Sequence, residues 1–368
     1  MRIVHFHTDG QTAAIFVDPL VEAERGHGHL SELVTSIRRS KLSDLEMSHA
    51  LLLRNVLGLP LAFWRICMFI RARKPDIVIS HNTTGSPIPL LAAWWMGLKI
   101  RVYFNHGVPC LGYKGVLSWG LRALERVNCR LASHVLSVSQ DMVKHLASLH
   151  QSAQPRLILN GSACGIDLEV WDRARYRGSA WRESNQIGAD DIVVAFVGRP
   201  ERRKGFSRAL RLWADYFPDP RYKLVLCGGG SDDVLRFVPA VPLNVICLGF
   251  VSNVAEVLSN ADALILPSLH EGLPYAILEA MACKCIVIAN DIEGVRSIIQ
   301  DKVNGYLINN NSLPEFAHVI RLLGKDLSFF SDVREQATCT ASKFSRHLFL
   351  PAYLSFLDEL VKRQHETL

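Results

Sequence analysis

The chain has 368 residues, of which 49% are hydrophobic and 21% are charged, and its formal net charge is +6. This composition excludes disordered and fibrous proteins, and the length predicts two packed domains rather than one. Nine cysteines are scattered without a C-x-x-C pair, which favours reduced thiols in the cytoplasm over disulfides or a metal centre. The opening residues, MRIVHFHTDG, form a short apolar run before a polar segment and predict no signal peptide.

Short β-rich runs alternate with helical patterns through the first half of the chain. The predicted strands are Ile3–Phe6, Asp76–Ser80, Arg101–Asn105, His134–Val138 and Arg156–Leu159. The predicted amphipathic helical segments include Leu30–Ile37, Leu61–Arg73 and Leu117–Leu131. Apolar strands without polar alternation, separated by helices, are typical of a parallel sheet that is covered on both faces.

Positive charge is concentrated between residues 51 and 150, which hold twelve Lys or Arg and only three acids. In the segment LAFWRICMFIRARK the cations are interleaved with bulky apolar residues. That pattern favours contact with an anionic membrane surface over binding of nucleic acid. The alternative is a helix that buries its aromatic stripe in the core and exposes its arginines to water. The longest uncharged stretch of this half opens with polar residues and carries two prolines, so it predicts no membrane span.

A second series of strand and helix patterns follows Asn160–Trp171, where turn residues come directly after a strand. Its predicted strands are Ile192–Val197, Tyr222–Cys227, Val245–Leu248, Ala263–Leu266, Cys285–Ala289 and Tyr306–Ile308. Its predicted helices include Ser207–Tyr216, Val254–Ser259 and Tyr275–Ala282, with a last helix at about His347–Lys362. We therefore predict two doubly wound α/β domains, residues 1–165 and 166–345, and a C-terminal helix over 346–368. Ligands of such sheets bind beyond the carboxyl ends of the strands.

The clearest motif, SLHEGLPYAILEAMA, directly follows the predicted strand Ala263–Leu266. Its Glu271 and Glu279 are eight positions apart, and Leu273–Pro274 would open a helix between them, since Pro is tolerated in a first turn. The N–H groups and positive dipole end of that helix suit a diphosphate or a hydroxyl-rich ligand. An isolated glutamate pair would be read as a dipole partner and a solvated helix residue. The pattern S-x-x-E-G-x-P after a buried strand favours a binding site.

A second motif, VAFVGRPERRKGF, follows the first strand of the second half. It places Gly198, Arg199, Lys204 and Gly205 in the form G-R-x-x-x-x-K-G. A bidentate Arg and a mobile Lys, presented at a strand end by glycines that allow close approach, can hold a diphosphate. The alternative is a basic surface loop, because two more arginines stand between them.

Together the two motifs resemble the glycosyltransferase family 4 group of retaining enzymes with the GT-B fold. The segments GRPERRKG, LVLCGGG, LGFV, ALILPS, EGLPYAILEAMA and VNGYLI follow in that family's order through most of the C-terminal half. In the N-terminal half, only the alternation of β and α elements and the NHG segment at Asn105–Gly107 fit. The resemblance implies two Rossmann-like domains facing across a cleft. It also implies transfer of a hexose or N-acetylhexosamine, with retention, from a UDP- or GDP-linked donor.

The resemblance implies a role for each matching residue. Arg199 and Lys204 would neutralise the donor diphosphate, and Glu271 would contact the hydroxyls of the donor sugar. Glu279 would bind the ribose, and His106 would face the donor sugar from the opposite domain. Further donor contacts would come from Gly272, Leu273, Pro274, Tyr275 and Gly198, from Phe250 and Val251 at the base, and from Gly10.

The sequence departs from the family pattern at two places. A glycine pair often follows the first strand, where a loop abuts the donor or acceptor, and the segment HTDGQTA has Gly10 alone. After EAMA, where a glycine is usual, Lys284 stands instead, which would alter the turn into the next strand. No D-x-D triplet occurs, which fits a member that needs neither metal nor cofactor and relies on Arg, Lys and the helix dipole.

The family and the basic–aromatic segment predict a saccharide acceptor carried by a lipid, in the assembly of cell-surface polysaccharide such as the O-antigen of lipopolysaccharide. They place the protein in the cytoplasm, peripheral at the inner membrane, with an anionic surface and no nucleic acid as partner.

Three other functions remain open from the sequence. A nucleotide-binding oxidoreductase could use GGGSDD after Tyr222–Cys227, but no G-x-G-x-x-G opens a helix near the N-terminus. A GT-B-fold epimerase would act on the same nucleotide sugar without an acceptor. A non-catalytic nucleotide-sugar-binding protein would keep the fold alone, and the intact charged residues of both motifs count against it.

Overall fold

The computed structural model describes residues 1–37, 42–46, 58–150 and 154–366. The chain folds as two compact units, Met1–Gly165 together with Arg346–Leu368, and Ile166–Ser345. Over the described residues, each unit is built on a parallel sheet of six strands. Each sheet reverses its strand order once, and that reversal is where doubly wound folds bind ligands.

The first unit is a β-α alternation ordered β3-β2-β1-β4-β5-β6. Its strands are β1 (Arg2–Asp9), β2 (Leu30–Ile37), β3 (Ser43–Glu46), β4 (Ile77–His81), β5 (Ile100–Asn105) and β6 (His134–Ser137). Its helices are α1 (Gly10–Phe16), α2 (Asp18–Gly26), α3 (Leu59–Arg73), α4 (Pro87–Trp95), α5 (Gly115–Leu131) and α6 (Gln140–Leu149). The order reverses between β1 and β4, so the loops that follow these two strands lie side by side.

Two predictions for this unit are wrong. Leu30–Ile37, predicted as a helix, is β2, and it pairs in parallel with β1 over nearly its whole length. Consecutive residues Leu33, Val34 and Thr35 are all buried, because both faces of the strand are covered, and this removes the alternation that marks a half-buried strand. Arg156–Leu159, predicted as a strand, makes a single bridge from Arg156 to Leu136, and the left-handed φ of 51° at Leu159 ends the extended run.

The second unit repeats the arrangement in the order β12-β11-β10-β7-β8-β9. Its strands are β7 (Ile192–Val197), β8 (Tyr222–Cys227), β9 (Val245–Gly249), β10 (Ala263–Leu266), β11 (Ile286–Asn290) and β12 (Tyr306–Ile308). Its helices are α7 (Arg173–Tyr176), α8 (Ser179–Ser184), α9 (Phe206–Tyr216), α10 (Ser231–Leu235), α11 (Val254–Asn260), α12 (Tyr275–Ala282), α13 (Leu313–Leu323) and α14 (Ser331–Ser342). Trp213, Phe196 and Phe316 are among the large side chains that fill its core. The reversal between β10 and β7 brings the two motif loops together.

The last helix, α15 (Arg346–Glu366), belongs to the first unit. Phe349, Tyr353 and Leu357 of this helix are buried, and the Tyr353 hydroxyl donates to Glu24 of α2 at 2.7 Å. Ile166 and Ser345, the first and last residues of the second unit, form a parallel bridge. The chain therefore enters and leaves the second unit at adjacent points.

Candidate active site

Lys204 and Glu271, from the two motifs of the second unit, form an ion pair. The Lys204 Nζ lies 2.9 Å from both carboxylate oxygens of Glu271. Glu271 is only 6% exposed, and Lys204 is more open to water. Since β7 and β10 are neighbouring parallel strands, residues that follow each of them meet at one edge of the sheet. The pair fixes a cation and a carboxylate at that edge.

Close backbone contacts hold the two motif loops together. Gly205 has a φ of 82°, and a Cβ there would lie 2.1 Å from the carbonyl oxygen of Pro267, so glycine is required on both counts. The Ser268 hydroxyl donates to the Lys204 carbonyl at 3.2 Å, and Arg208 Nε donates to the Pro267 carbonyl at 2.9 Å. The glycine of the K-G step therefore sets the distance between Lys204 and the Glu271 loop.

The GGG turn after β8 packs against the loop that follows β7. Gly228 has a φ of 106°, and a Cβ there would lie 2.3 Å from the Gly198 carbonyl oxygen. The Gly198 N–H donates to the Cys227 carbonyl at 2.9 Å, and the Gly228 N–H donates to the Gly249 carbonyl at 2.6 Å. The ends of β7, β8 and β9 are thus tied through their backbones, with Gly198 between them.

Arg199 lies in the same loop as Lys204 but does not contact Glu271. Its side chain is 69% exposed, and its guanidinium pairs with Glu201 at 3.0 Å. Exposed pairs of this kind contribute little to stability, so the guanidinium can leave Glu201 for a stronger anion at small cost. The structure therefore brings Lys204 and Glu271 together and leaves Arg199 beside them on a mobile stem.

Glu279 lies one helical turn into α12 and is half-buried. No hydrogen bond to its carboxylate is found within the described residues, and burial raises the pKa of this carboxyl to about 7. The helix begins at Tyr275, in agreement with the predicted bounds Tyr275–Ala282, and Pro274 is extended, so Leu273–Pro274 precede the helix instead of opening it. Gly272, Leu273, Pro274 and Tyr275 form the connection between Glu271 and this helix. A buried carboxyl without partners is suited to receive hydroxyl donors.

Sequence reasoning missed Gly294, which follows β11. Its φ is 80°, and a Cβ there would lie 2.5 Å from the Glu271 carbonyl oxygen and 2.6 Å from that of Gly272. Asn290, at the end of β11, donates from Nδ2 to the Ser268 carbonyl at 2.8 Å. The end of β11 thus also supports the loop that carries Glu271. The signal in the sequence that could have identified this residue was a glycine shortly after a predicted strand.

The remaining residues that were predicted to contact the nucleotide-sugar donor differ from one another in exposure and local structure. Phe250 follows β9 and is 92% exposed, while Val251 beside it is half-buried. Gly10 begins helix α1 directly after β1, where a loop was expected. The reason is Asp9, whose carboxylate caps that helix by accepting from the N–H groups of Gln11 and Thr12.

His106 follows β5 in the first unit and is held by its neighbours. The Asn105 side-chain oxygen accepts from the Gly107 N–H at 3.0 Å, which shapes the turn around it. Nε2 of His106 lies 2.9 Å from Nδ1 of His81. Burial, with a smaller contribution from His7, lowers the pKa of His106 to about 3, so its imidazole is neutral at physiological pH.

One group within the described residues has the spacing to hold a metal ion. His27, His29 and Asp358 have ligand atoms that all lie within 4.8 Å of one another. The three belong to the first unit, and none is among the predicted site residues. The two carboxylates of the SLHEGLPYAILEAMA motif, Glu271 and Glu279, are not part of such a group.

Comparison with known families decides what kind of protein carries this site. Residues 179–338 match the family described as glycosyl transferases group 1, and residues 9–161 match the glycosyl transferase 4-like domain. The chain belongs to the group 1 glycosyltransferases. It is therefore a glycosyltransferase, and the predicted resemblance is confirmed.

Several relatives of this glycosyltransferase are known by name. It is 21% identical over 316 residues to the N,N'-diacetylbacillosaminyl-diphospho-undecaprenol alpha-1,3-N-acetylgalactosaminyltransferase of Campylobacter jejuni, covering 82% of this chain and 81% of that one. It is 23% identical to the UDP-Gal:alpha-D-GlcNAc-diphosphoundecaprenol alpha-1,3-galactosyltransferase of Escherichia coli, covering 68% and 67% of the two chains.

Solved structures agree on the fold. Anabaena HepE, in complex with UDP and glucose, superposes with a TM-score of 0.81 at 17% identity, covering 98% of this chain and all of that one. The predicted GT-B class is confirmed, and the two parallel α/β units correspond to the two domains of that fold.

We predict that Gly294→Ala weakens nucleotide-sugar binding about tenfold. The added Cβ must displace the Glu271 carbonyl and strain a left-handed backbone, and about 1.4 kcal/mol of such cost corresponds to a factor of ten. The measurement is a thermal-shift panel of UDP, GDP, ADP and their sugars, since a ligand that binds the native state raises its stability. Gly188→Ala is the control, because its Cβ would meet ordinary contacts of 3.5 Å at a normal φ. An unchanged thermal shift in Gly294→Ala would contradict the role of this contact.

Proposed function

We propose that this glycosyltransferase transfers a hexose or N-acetylhexosamine from a UDP- or GDP-linked donor, with retention, to a saccharide carried by a lipid. The observation that supports a nucleotide-sugar donor is the Lys204–Glu271 ion pair, which lies where the strand order of the second sheet reverses. The names of the Campylobacter and Escherichia relatives, both of which specify diphospho-undecaprenol acceptors, support the acceptor part.

In this proposal the donor diphosphate binds Lys204 and Arg199, and the sugar hydroxyls donate to Glu271. The bond between the anomeric carbon and the diphosphate oxygen breaks, and the acceptor oxygen bonds to the same face of the sugar. The departing nucleoside diphosphate keeps the electron pair of the broken bond, takes up the proton that the acceptor hydroxyl loses, and is stabilised by the two cations. No metal is assigned to this step, because Arg and Lys supply the positive charge.

Glu279 fits the ribose of the same donor. Its pKa of about 7 reflects burial without a compensating partner. Two ribose hydroxyls donating to the carboxylate would favour its ionised form and lower that pKa on binding. Phe250, which is exposed beyond β9, offers an aromatic surface to the base.

Transfer is favoured over the alternatives. Both named relatives are transferases, which argues against an epimerase. Glu271 is buried and paired with the half-buried Lys204, at a desolvation cost that a protein without donor chemistry would not need to retain. His106 remains predicted to contact the donor sugar.

Replacing Lys204 or Arg199 with Ala is expected to lower turnover of the nucleotide sugar roughly a hundredfold, because each removes a cation from the developing diphosphate charge. The measurement is steady-state release of UDP or GDP with a lipid-linked acceptor. Lys223→Ala is the matched control, since Lys223 pairs with Asp191 at 3.8 Å in the same unit and away from both motifs. Near-wild-type turnover in both site variants would remove them from the mechanism.

The product formed from an α-linked donor should carry an α-linkage, with the same rate in the presence of EDTA. Retention follows from the family pattern EGLPYAILE, and independence from metal follows from the use of Arg199 and Lys204. Proton NMR of the product reports the anomeric configuration. A β-linkage, or loss of activity with the chelator, would contradict the proposal.

The surface of α3 supports a membrane location for the acceptor. Leu61, Trp64 and Met68 are exposed on this helix together with Arg65 and Arg71. Trp94 and Trp95 at the end of α4 are also exposed, the latter by 67%. The rings of Phe63 and Trp95 are 6.4 Å apart, so these two helices present one basic–aromatic face. Arg54, another cation of the basic stretch between residues 51 and 150, lies outside the described residues. Among the described helices, none combines the length and apolarity needed to cross a membrane.

We expect the protein to bind anionic vesicles through this basic–aromatic face, and binding should weaken steeply with added salt. Each cation near such a surface contributes about 1 kcal/mol, and salt screens the attraction. Changing Arg71, Arg73 and Lys74 to Gln should reduce sedimentation with vesicles while hydrolysis of the nucleotide sugar persists. The control changes Arg236, Lys302 and Lys325, three exposed cations of the second unit, to Gln. Equal binding to neutral and anionic vesicles, or none to either, would favour a soluble acceptor.

A further inference from the structure

Three histidines of the first unit form a chain of hydrogen bonds that ends at His106. Nδ1 of His5 lies 2.9 Å from Nε2 of His81, and Nδ1 of His81 lies 2.9 Å from Nε2 of His106. The chain runs diagonally across the sheet, because His5 pairs in register with Ile79, two residues before His81, and His81 pairs with Phe104, two residues before His106. His5 and His81 are fully buried, and His106 is half-buried.

The buried end of this chain is the carboxylate of Glu24. Nε2 of His5 lies 3.0 Å from one carboxylate oxygen, and the hydroxyls of Ser31 and Tyr353 also donate to the group. Burial raises the pKa of Glu24, but the charge and hydrogen bond of His5, with the bonds from Ser31 and Tyr353, outweigh it, and the pKa is lowered overall. Glu24 is therefore an anion at neutral pH and favours a proton on the neighbouring imidazoles.

The other groups around the chain do not replace this anion. His7 faces it, with ring centroids 6.0 Å from His81 and 6.4 Å from His106, and burial lowers its pKa to about 4. Nδ1 of His7 accepts from the Asp9 N–H at 3.0 Å, so Asp9 acts on His7 rather than on the chain. Phe16 and Phe104 pack against His106 and contribute no charge. The N-terminal amine, Asp358 and Glu24 act on His29, which is not a member of the chain.

The hydrogen bonds couple the two ends of the chain. Each imidazole pair needs one N–H and one bare nitrogen, and an anionic Glu24 accepts from Nε2–H of His5. If His5 is neutral, its bare Nδ1 accepts from His81, whose Nδ1 then accepts from His106, and Nδ1 of His106 is bare. If His5 carries a second proton, both bonds between imidazoles reverse, while Nε2–H of His5 still donates to Glu24, and Nδ1 of His106 carries N–H.

We propose that Glu24, His5 and His81 are positioning residues that set whether Nδ1 of His106 offers an N–H or a lone pair to a hydroxyl of the donor sugar. The proposal rests on the proposed function, in which His106 contacts that sugar. Within the described residues, Nδ1 of His106 has no hydrogen-bond partner, so it is the open end of the relay.

The change of state conserves protons and charge. Nδ1 of His106 takes one proton from solvent or a hydroxyl, its Nε2 proton passes to His81, and the Nε2 proton of His81 passes to His5. Three N–H bonds form and two break, and the added charge resides on His5 beside Glu24. His106 therefore becomes a hydrogen-bond donor while remaining neutral.

The test is the pH at which Nδ1 of His106 changes protonation, measured by long-range proton–nitrogen NMR of the full chain labelled with ¹⁵N-histidine. Glu24→Gln should lower that pH by about 1–2 units, because it removes the anion that favours the relay proton. Tyr353→Phe should raise it, because a carboxylate with one donor fewer attracts that proton more strongly. A role limited to packing would not give shifts of opposite sign.

A control variant accompanies the two test variants. Asp358→Asn disrupts another histidine–carboxylate contact of the same unit, with His27 at 3.5 Å, and should leave the transition at His106 in place. If Glu24→Gln does not fold, the relay is tested by the change that Tyr353→Phe makes in the pH of the His106 transition. An Nδ1 state that is the same at every pH, or equal shifts in the Glu24 and Asp358 variants, would overturn the relay.

Activity separates the relay from the proposed function. The pH dependence of KM for the nucleotide sugar should move with the NMR transition in each variant, while affinity for UDP or GDP alone stays unchanged. An NMR shift with no change in KM would overturn the sugar contact at His106. Absence of nucleotide-sugar turnover in the wild-type enzyme would instead contradict the proposed function and leave the NMR result standing.

Discussion

The candidate site depends on the ion pair between Lys204 and Glu271. The two residues lie 67 positions apart, yet one ammonium contacts both oxygens of one carboxylate at the edge of a sheet. A pair this poorly solvated stabilises a fold little, since desolvation offsets the attraction, but removing one partner leaves the other uncompensated. The loops around Gly205, Gly228 and Gly294 all serve to hold these two groups in place.

Much of this arrangement could be predicted from the sequence. The bounds of Ile192–Val197, Tyr222–Cys227 and Tyr275–Ala282 are confirmed as predicted, because each is an apolar run ended by turn residues or by a proline. The prediction failed at β2, where burial on both faces gives a pattern that a helix could share. Gly294 was missed because its importance comes from two carbonyl groups more than twenty positions earlier in the chain.

The histidine chain shows a different limit of sequence reasoning. His5 lies in an apolar strand two positions before His7, and His81 ends another apolar strand, and each has the pattern of an ordinary core histidine. Their contact depends on the order of strands β1, β4 and β5, and strand order cannot be read from local periodicity. Only His106, next to a glycine at a strand end, carried a local signal.

The return of α15 to the first unit has a consequence for biosynthesis. The second unit is one continuous segment whose ends meet at Ile166 and Ser345, so all the residues of its core have been translated once Ser345 is added. The first unit, although its strands emerge earlier, lacks Phe349, Tyr353 and Leu357 until the final helix has been translated. Until then Glu24 lacks the hydrogen bond from the Tyr353 hydroxyl. The segment that is made first is therefore the one that is completed last.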